Sequence, residues 1–168
     1  LVVGTVMANI GLIKEFEEKQ IELITTKVGD KYVLEEMLKQ DAVLGGEQAG
    51  HIIFLQHNTS GDGIASALQI LRIMKEKERK LSGLTTMQKY PQILLNLVVR
   101  ERKDLVAMPA VSSKISEIEN KLGEDGRVLV RYSGTQNLLR VMVEGKNKEV
   151  ITNYAQEIAD EVKKEIGN

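Results

Sequence analysis

Neither cysteine nor tryptophan occurs in the 168 residues. Missing thiols exclude disulfides, zinc–thiolate sites and cysteine nucleophiles, and they suit a reducing compartment such as the cytoplasm. The two histidines, His51 and His57, are too few for a histidine-rich metal centre. An excess of either charge is lacking too, with 23 Lys plus Arg against 24 Asp plus Glu and a net charge of −1. That balance argues against a nucleic-acid partner or an acidic membrane surface. The longest apolar run, from Ile93 to Val99, is interrupted by Asn96 and is far too short to span a membrane. The opening LVVGTVMANIGL has neither a basic leader nor an initiator Met, so the chain is expected to begin inside something larger.

What remains is hydrophobic periodicity punctuated by glycine-rich loops. Val2 to Val6 reads as a strand, Ile10 to Lys19 as a helix, and the β-branched Ile21 to Thr26 as a second strand. A β-α-β opening with a parallel pair follows. VGDKY, from Val28 to Tyr32, reads as a turn before a short helix, Val33 to Lys39, with Leu34, Met37 and Leu38 available for burial. Leu44 to His51 reads as a glycine-rich loop, and Ile52 to Leu55 as a strand. The loop NTSGDG then launches an amphipathic helix in which Ile64, Ala67, Leu68, Leu71 and Met74 share a face, with Ser60 or Asp62 as N-cap. KEKERK reads as the solvated end of that helix.

Pro91, together with a change from helical to β character, marks a boundary between residues 1–85 and 86–168. The second part should run β-α-β-β-α. Its elements are a strand from Gln92 to Arg100, a polar link through Pro109, a helix from Ser112 to Leu122 capped by Ser112 or Ser113, a hairpin, and a last helix from Lys148 to Ile166. Ala155, Ile158, Ala159, Val162 and Ile166 form the buried stripe of that last helix. The fold class expected is therefore α/β plus α+β, a β-α-β unit followed by a small β-α-β-β-α domain.

Two loops carry chemistry. RVLVR and LLRVMV should pair around the six residues YSGTQN, Tyr132 to Asn137, far more than a minimal hairpin turn requires. Arg131 and Arg140 offer planar forks of donors, Ser133 and Thr135 offer hydroxyls, and Gly134 admits an anion close to the backbone, all features that match phosphate. A solvated turn with two surface arginines is the other reading of this string. In GEQAGH, the glycine-flanked Glu47 can accept hydrogen bonds from adjacent sugar hydroxyls. A plain turn with a solvated carboxylate is again the alternative.

In this order and at this separation, GEQAGH and RVLVRYSGTQNLLRVMVEG resemble the α-D-phosphohexomutase superfamily. TVMANIGL, TKVGDKYVLEEML, LGGEQAGHIIF and TSGDG are most similar to its bacterial phosphoglucosamine mutase branch. The resemblance implies most of a third, sugar-binding domain and all of a fourth, phosphate-binding domain, in an isomerase whose four domains surround a cleft. A phosphoserine there interconverts glucosamine 6-phosphate and glucosamine 1-phosphate through glucosamine 1,6-bisphosphate, with Mg²⁺ held by a DGDGDR-like loop. Neither that loop nor a TASHNP-like serine motif occurs in this sequence. No catalytic or metal-binding residue is therefore expected here, and the piece alone should be inactive.

By the same resemblance, Glu47, His51, Asp30 and Lys31 bind the sugar, while Arg131, Ser133, Gly134, Thr135 and Arg140 bind phosphate. The implied partners are the phosphosugar, the N-terminal domains of the same enzyme and a second copy in a homodimer. A phosphomannomutase or phosphoglucomutase, or a non-catalytic phosphosugar-binding module, are the other functions compatible with these loops. Two departures stand out. Ala49 replaces the serine of GEQSGH and so removes a hydroxyl worth on the order of 1 kcal/mol. Tyr132, Gln136 and Asn137 replace residues of RPSGTEP, and the loss of both prolines should loosen the loop.

Overall fold

The computed structural model describes residues 1–167 and divides into two units, Leu1–Lys89 and Tyr90 onward. The first unit opens as the periodicity predicts. Strand β1 (Val2–Thr5) leads into helix α1 (Ile10–Glu18), capped by the Asn9 side chain, and returns through β2 (Leu23–Thr26), parallel to β1 in the register Val3 with Ile24.

Helix α2 spans Asp30–Lys39 and so takes in Asp30 to Tyr32, residues expected in the turn before it. Gly29, at φ 134, supplies the backbone bend before it, and the chain can enter the helix at once. Val33 and Met37, one turn apart, are its buried residues, and they pack with Val3, Ala42 and Ile53. Leu38, expected to be available for burial, faces outward.

The segment read as a glycine-rich loop contains a further strand, β3 (Leu44–Gly46). It runs parallel to β1 and antiparallel to β4 (Ile52–Phe54), giving the order β2-β1-β3-β4. Glycine pairs hide strands from propensity, yet here the space is required. A Cβ on Gly45 would lie 2.5 Å from Met37 Sδ and 2.9 Å from Val33 Cγ1. Helix α2 can cover the sheet only because that side chain is missing.

Helix α3 (Gly63–Lys77) has Asp62 as its N-cap, with the carboxylate accepting from Ile64 N at 2.8 Å and Ala65 N at 2.9 Å. Its apolar stripe is present but uncovered: Ile64, Leu68 and Leu71 are 77%, 60% and 58% exposed. Periodicity predicts which residues share a face, not whether another element lies over it.

The second unit follows the predicted β-α-β-β-α order. Strand β5 (Gln92–Val98), helix α4 (Pro109–Leu122), strands β6 (Gly126–Tyr132) and β7 (Leu138–Gly145), and helix α5 (Lys148–Ile166) form an antiparallel sheet in the order β5-β7-β6 with both helices packed on it. Helix α4 begins at Pro109, three residues before the predicted start, because proline's fixed φ suits the first helical position. Ser112, predicted as a cap, instead donates its hydroxyl to Leu105 O at 2.7 Å. Alternation along the strands sends Val128, Val130, Leu139, Val141 and Val143 into a core with Val111, Ile118, Ala155, Ile158 and Val162. The opposite sheet face carries the charges.

Candidate functional site

Tyr132 closes strand β6, so the connection between β6 and β7 is five residues, Ser133 to Asn137. The extended register brings Arg131 directly opposite Arg140, and places Asn96 of β5 on Arg140's other side. Like charges directly opposite each other destabilise a sheet pair. Neither arginine has a carboxylate partner among the described residues, and Arg140 Nε is buried with no hydrogen-bond partner. Burial, and then the neighbouring Arg140 charge, hold Arg131 below the ordinary guanidinium pKa. Two registers away on the same face, the arrangement is the reverse. Arg127 Nε donates to Glu144 at 2.6 Å, and Gln92 donates to the other oxygen of that buried carboxylate at 2.9 Å. The sheet neutralises one arginine and leaves two facing each other.

The loop above them is ordered by its own surroundings. Ser133 is 2% exposed and its N–H donates to Leu138 O at 2.8 Å, while Gly134 and Thr135 stand out in solvent. Space beside Gly134 is open, with no atom near a virtual Cβ. Arg102, in a charged run with no sequence signal of a role, donates through Nη2 to Ser133 O at 2.9 Å and to Gln136 O at 3.0 Å. Its guanidinium lies 5.8 Å from the Tyr132 ring centroid. A segment about thirty residues earlier in the chain thus contacts the loop from which the prolines are absent.

In the first unit, Glu47 to His51 closes a tight turn. Glu47 N–H donates to His51 O at 2.9 Å, Gly50 N–H donates to Glu47 O at 3.1 Å, and Gly50 adopts φ 98. The Glu47 carboxylate, 10% exposed, lies 3.0 Å from His51 Nδ1. The hydrogen bond to Glu47 raises the His51 pKa above its ordinary value, and the charges of Glu47 and Asp30 add to it. Asp30 lies in the first turn of α2, where its carboxylate accepts from Lys31 N–H at 2.7 Å. Lys31, beside it, is highly exposed and lies 3.8 Å from Glu35 rather than turning toward Glu47. The loop before α3 also meets this turn, since a Cβ on Gly61 would fall 2.9 Å from His51 Cβ. Of the four expected sugar-binding residues, Glu47, His51, Asp30 and Lys31, the structure brings Glu47 and His51 into contact, with Gly61 packed beside His51.

Among the described residues no group of three histidine, aspartate or glutamate side chains is disposed to hold a metal ion, and no helix is long and apolar enough to cross a membrane.

A mixed parallel sheet covered by α2, followed by an antiparallel three-stranded sheet backed by two helices, defines the class: an α/β domain joined to a small α+β domain. The chain belongs to the phosphoglucomutase/phosphomannomutase family, whose alpha/beta/alpha domain III matches residues 1–90 and whose C-terminal domain matches residues 94–161. It is 53% identical over 167 residues to a phosphoglucosamine mutase of Protochlamydia amoebophila, covering 99% of this chain and 36% of that protein. A phosphoglucosamine mutase of Syntrophus aciditrophicus is 51% identical over 168 residues, covering 99% and 37%. The chain thus spans little more than a third of these relatives. The crystal structure of Aspergillus fumigatus N-acetylphosphoglucosamine mutase in complex with GlcNAc-6P and magnesium shares the fold, with a TM-score of 0.80 at 22% identity over 97% of this chain and 38% of that one.

Proposed function

We propose that this chain is the phosphosugar-gripping part of a phosphoglucosamine mutase, in which residues 1–85 bind the sugar and residues 86–168 bind a phosphate. The observation that carries this reading is the pairing of Arg131 with Arg140, directly opposed in the β6–β7 register with no carboxylate partner among the described residues. A phosphate dianion would relieve their repulsion and supply the acceptor that Arg140 Nε lacks, through charge-assisted hydrogen bonds. Thr135 and the backbone beside Gly134 stand at the open side, and buried Ser133 anchors the loop from below.

The Glu47 carboxylate would accept from sugar hydroxyls with His51 hydrogen-bonded to it, and Asp30 and Lys31, in the first turn of α2, would reach the sugar separately. In the whole protein a phosphoserine would pass its phosphate to the free hydroxyl of glucosamine 6-phosphate. The resulting 1,6-bisphosphate would return its other phosphate to the serine and leave glucosamine 1-phosphate. The serine motif does not occur in this sequence and no fitting metal cluster lies among the described residues, so the transfer step and the Mg²⁺ would belong to other parts of the protein. Its contribution is orientation, which lowers a barrier by fixing the reacting groups in advance. The partners would be the phosphosugar, the preceding domains of the same cytoplasmic protein and a second copy in a homodimer.

Calorimetric titration of the chain with glucosamine 6-phosphate tests the phosphate site, with Arg131→Ala as control. Binding by the parent and its loss in the variant are expected, and equal binding by both would remove the site. Ala49 leaves the sugar loop without a serine hydroxyl, which favours weighing mannose and glucose phosphates as substrates too. Comparison of kcat/KM for the three sugar phosphates with the full-length protein separates these readings.

A further inference from the structure

Arg102 lies outside both loops, on the segment between β5 and α4. It nevertheless makes the only side-chain hydrogen bonds that cross from that segment to loop carbonyls among the described residues, at Ser133 O and Gln136 O. Those two carbonyls bracket Gly134 and Thr135. One nitrogen of a rigid fork therefore sets the distance across the part of the loop that faces solvent.

Tyr132 ties the other end. Its hydroxyl accepts from Lys103 N–H at 2.9 Å and donates to Lys103 O at 2.6 Å, while its ring receives the Arg102 guanidinium. The segment itself is fastened to the end of α5. Arg100 N–H donates to Ile166 O at 3.1 Å, Arg100 Nη2 donates to Glu165 O at 2.9 Å, and Lys103 Nζ lies 3.3 Å from a Glu165 carboxylate oxygen. A continuous series of contacts runs from α5 through residues 100–103 to the loop.

We infer that Arg102 is a positioning residue that, with Tyr132, holds the Ser133–Asn137 loop in its anion-receiving shape, replacing the rigidity that prolines would supply. The inference rests on the phosphate-site reading of that loop. Pre-ordering matters because a loop that must be immobilised on binding loses affinity to the entropy of ordering. A guanidinium donates to two carbonyls and stacks on a ring in one fixed geometry, which a flexible ammonium does not reproduce. Charge alone therefore does not substitute for Arg102.

The test uses the full chain with glucosamine 6-phosphate as probe and reads two quantities, the Kd by calorimetry and the amide hydrogen exchange of residues 133–138. Arg102→Lys is expected to raise Kd roughly tenfold and to speed loop exchange at least tenfold while leaving α5 exchange unchanged. Tyr132→Phe keeps the ring and removes only the two hydroxyl bonds, so it should show the same pattern more weakly. It carries the test by itself should Arg102→Lys lose its folded circular dichroism. Parent-like loop exchange and affinity in the folded variants would overturn the inference. Arg131→Ala separates the two claims: it should abolish binding with loop exchange unchanged. If Arg131→Ala binds as the parent does, the phosphate reading fails, and faster loop exchange in Arg102→Lys without a change in Kd counts against the positioning role.

Discussion

Arg131 and Arg140 occupy directly opposed positions on β6 and β7, and neither is offered a carboxylate by the described residues. A fold selected for stability alone would not keep that pair. The cost of like charges in this arrangement is roughly 0.2–1 kcal/mol.

Arg140→Met should therefore raise the urea midpoint modestly, by the equivalent of about 0.5 kcal/mol, while weakening phosphate binding severely. A variant both less stable and able to bind would show that Arg140 is a structural residue.

The Glu47 and His51 pair gives a pH signature. The folded His51 pKa lies above its ordinary 6.5, so its stabilising contribution is complete below that value and is lost as pH rises through the raised pKa. In Glu47→Gln the histidine should titrate closer to its ordinary value, as followed by the imidazole proton shifts in NMR. Unchanged titration would separate His51 from Glu47.

Gly46 tests the Glu47–His51 turn without touching its side chains. An added Cβ would lie 2.7 Å from His51 O, a backbone atom that accepts the Glu47 N–H. Gly46→Ala should cost about 1–3 kcal/mol of stability and displace the Glu47 turn, seen as shifted amide resonances from residues 46–51. Parent-like stability and spectra would contradict this packing.

Glu144 is fully buried and takes hydrogen bonds from Arg127 and Gln92. Removing the carboxylate leaves Arg127 without its 2.6 Å partner, so Glu144→Leu should destabilise the chain by about 2 kcal/mol. Denaturant unfolding measures it, and a neutral result would mean that Arg127 relaxes into water at no cost.

Much of the second unit was legible because its signals are local and strong. The stripe through Ala155, Ile158, Ala159, Val162 and Ile166 predicted the buried face of α5, and alternation around RVLVR and LLRVMV predicted the hairpin. Errors arose where a neighbour overrides propensity. Gly45 and Gly46 look like a loop until α2 lies over Gly45 and β4 pairs beside both, and Asp30 to Tyr32 look like a turn until Gly29 bends the chain into a helix. Arg102 carried no signal at all, since a hydrogen bond to Ser133 O spans a separation that periodicity does not see.

By itself the sequence determined the order of elements, the two chemistry-bearing loops and the likeness to a family, because those depend on residue type and spacing along the chain. Only the tertiary structure decided that Arg131 meets Arg140 and not a carboxylate, that Glu47 meets His51, and that Arg102 reaches the carbonyls of Ser133 and Gln136. Register and long-range packing set those meetings, and the energies of side-chain pairs depend on distances that only the folded chain defines.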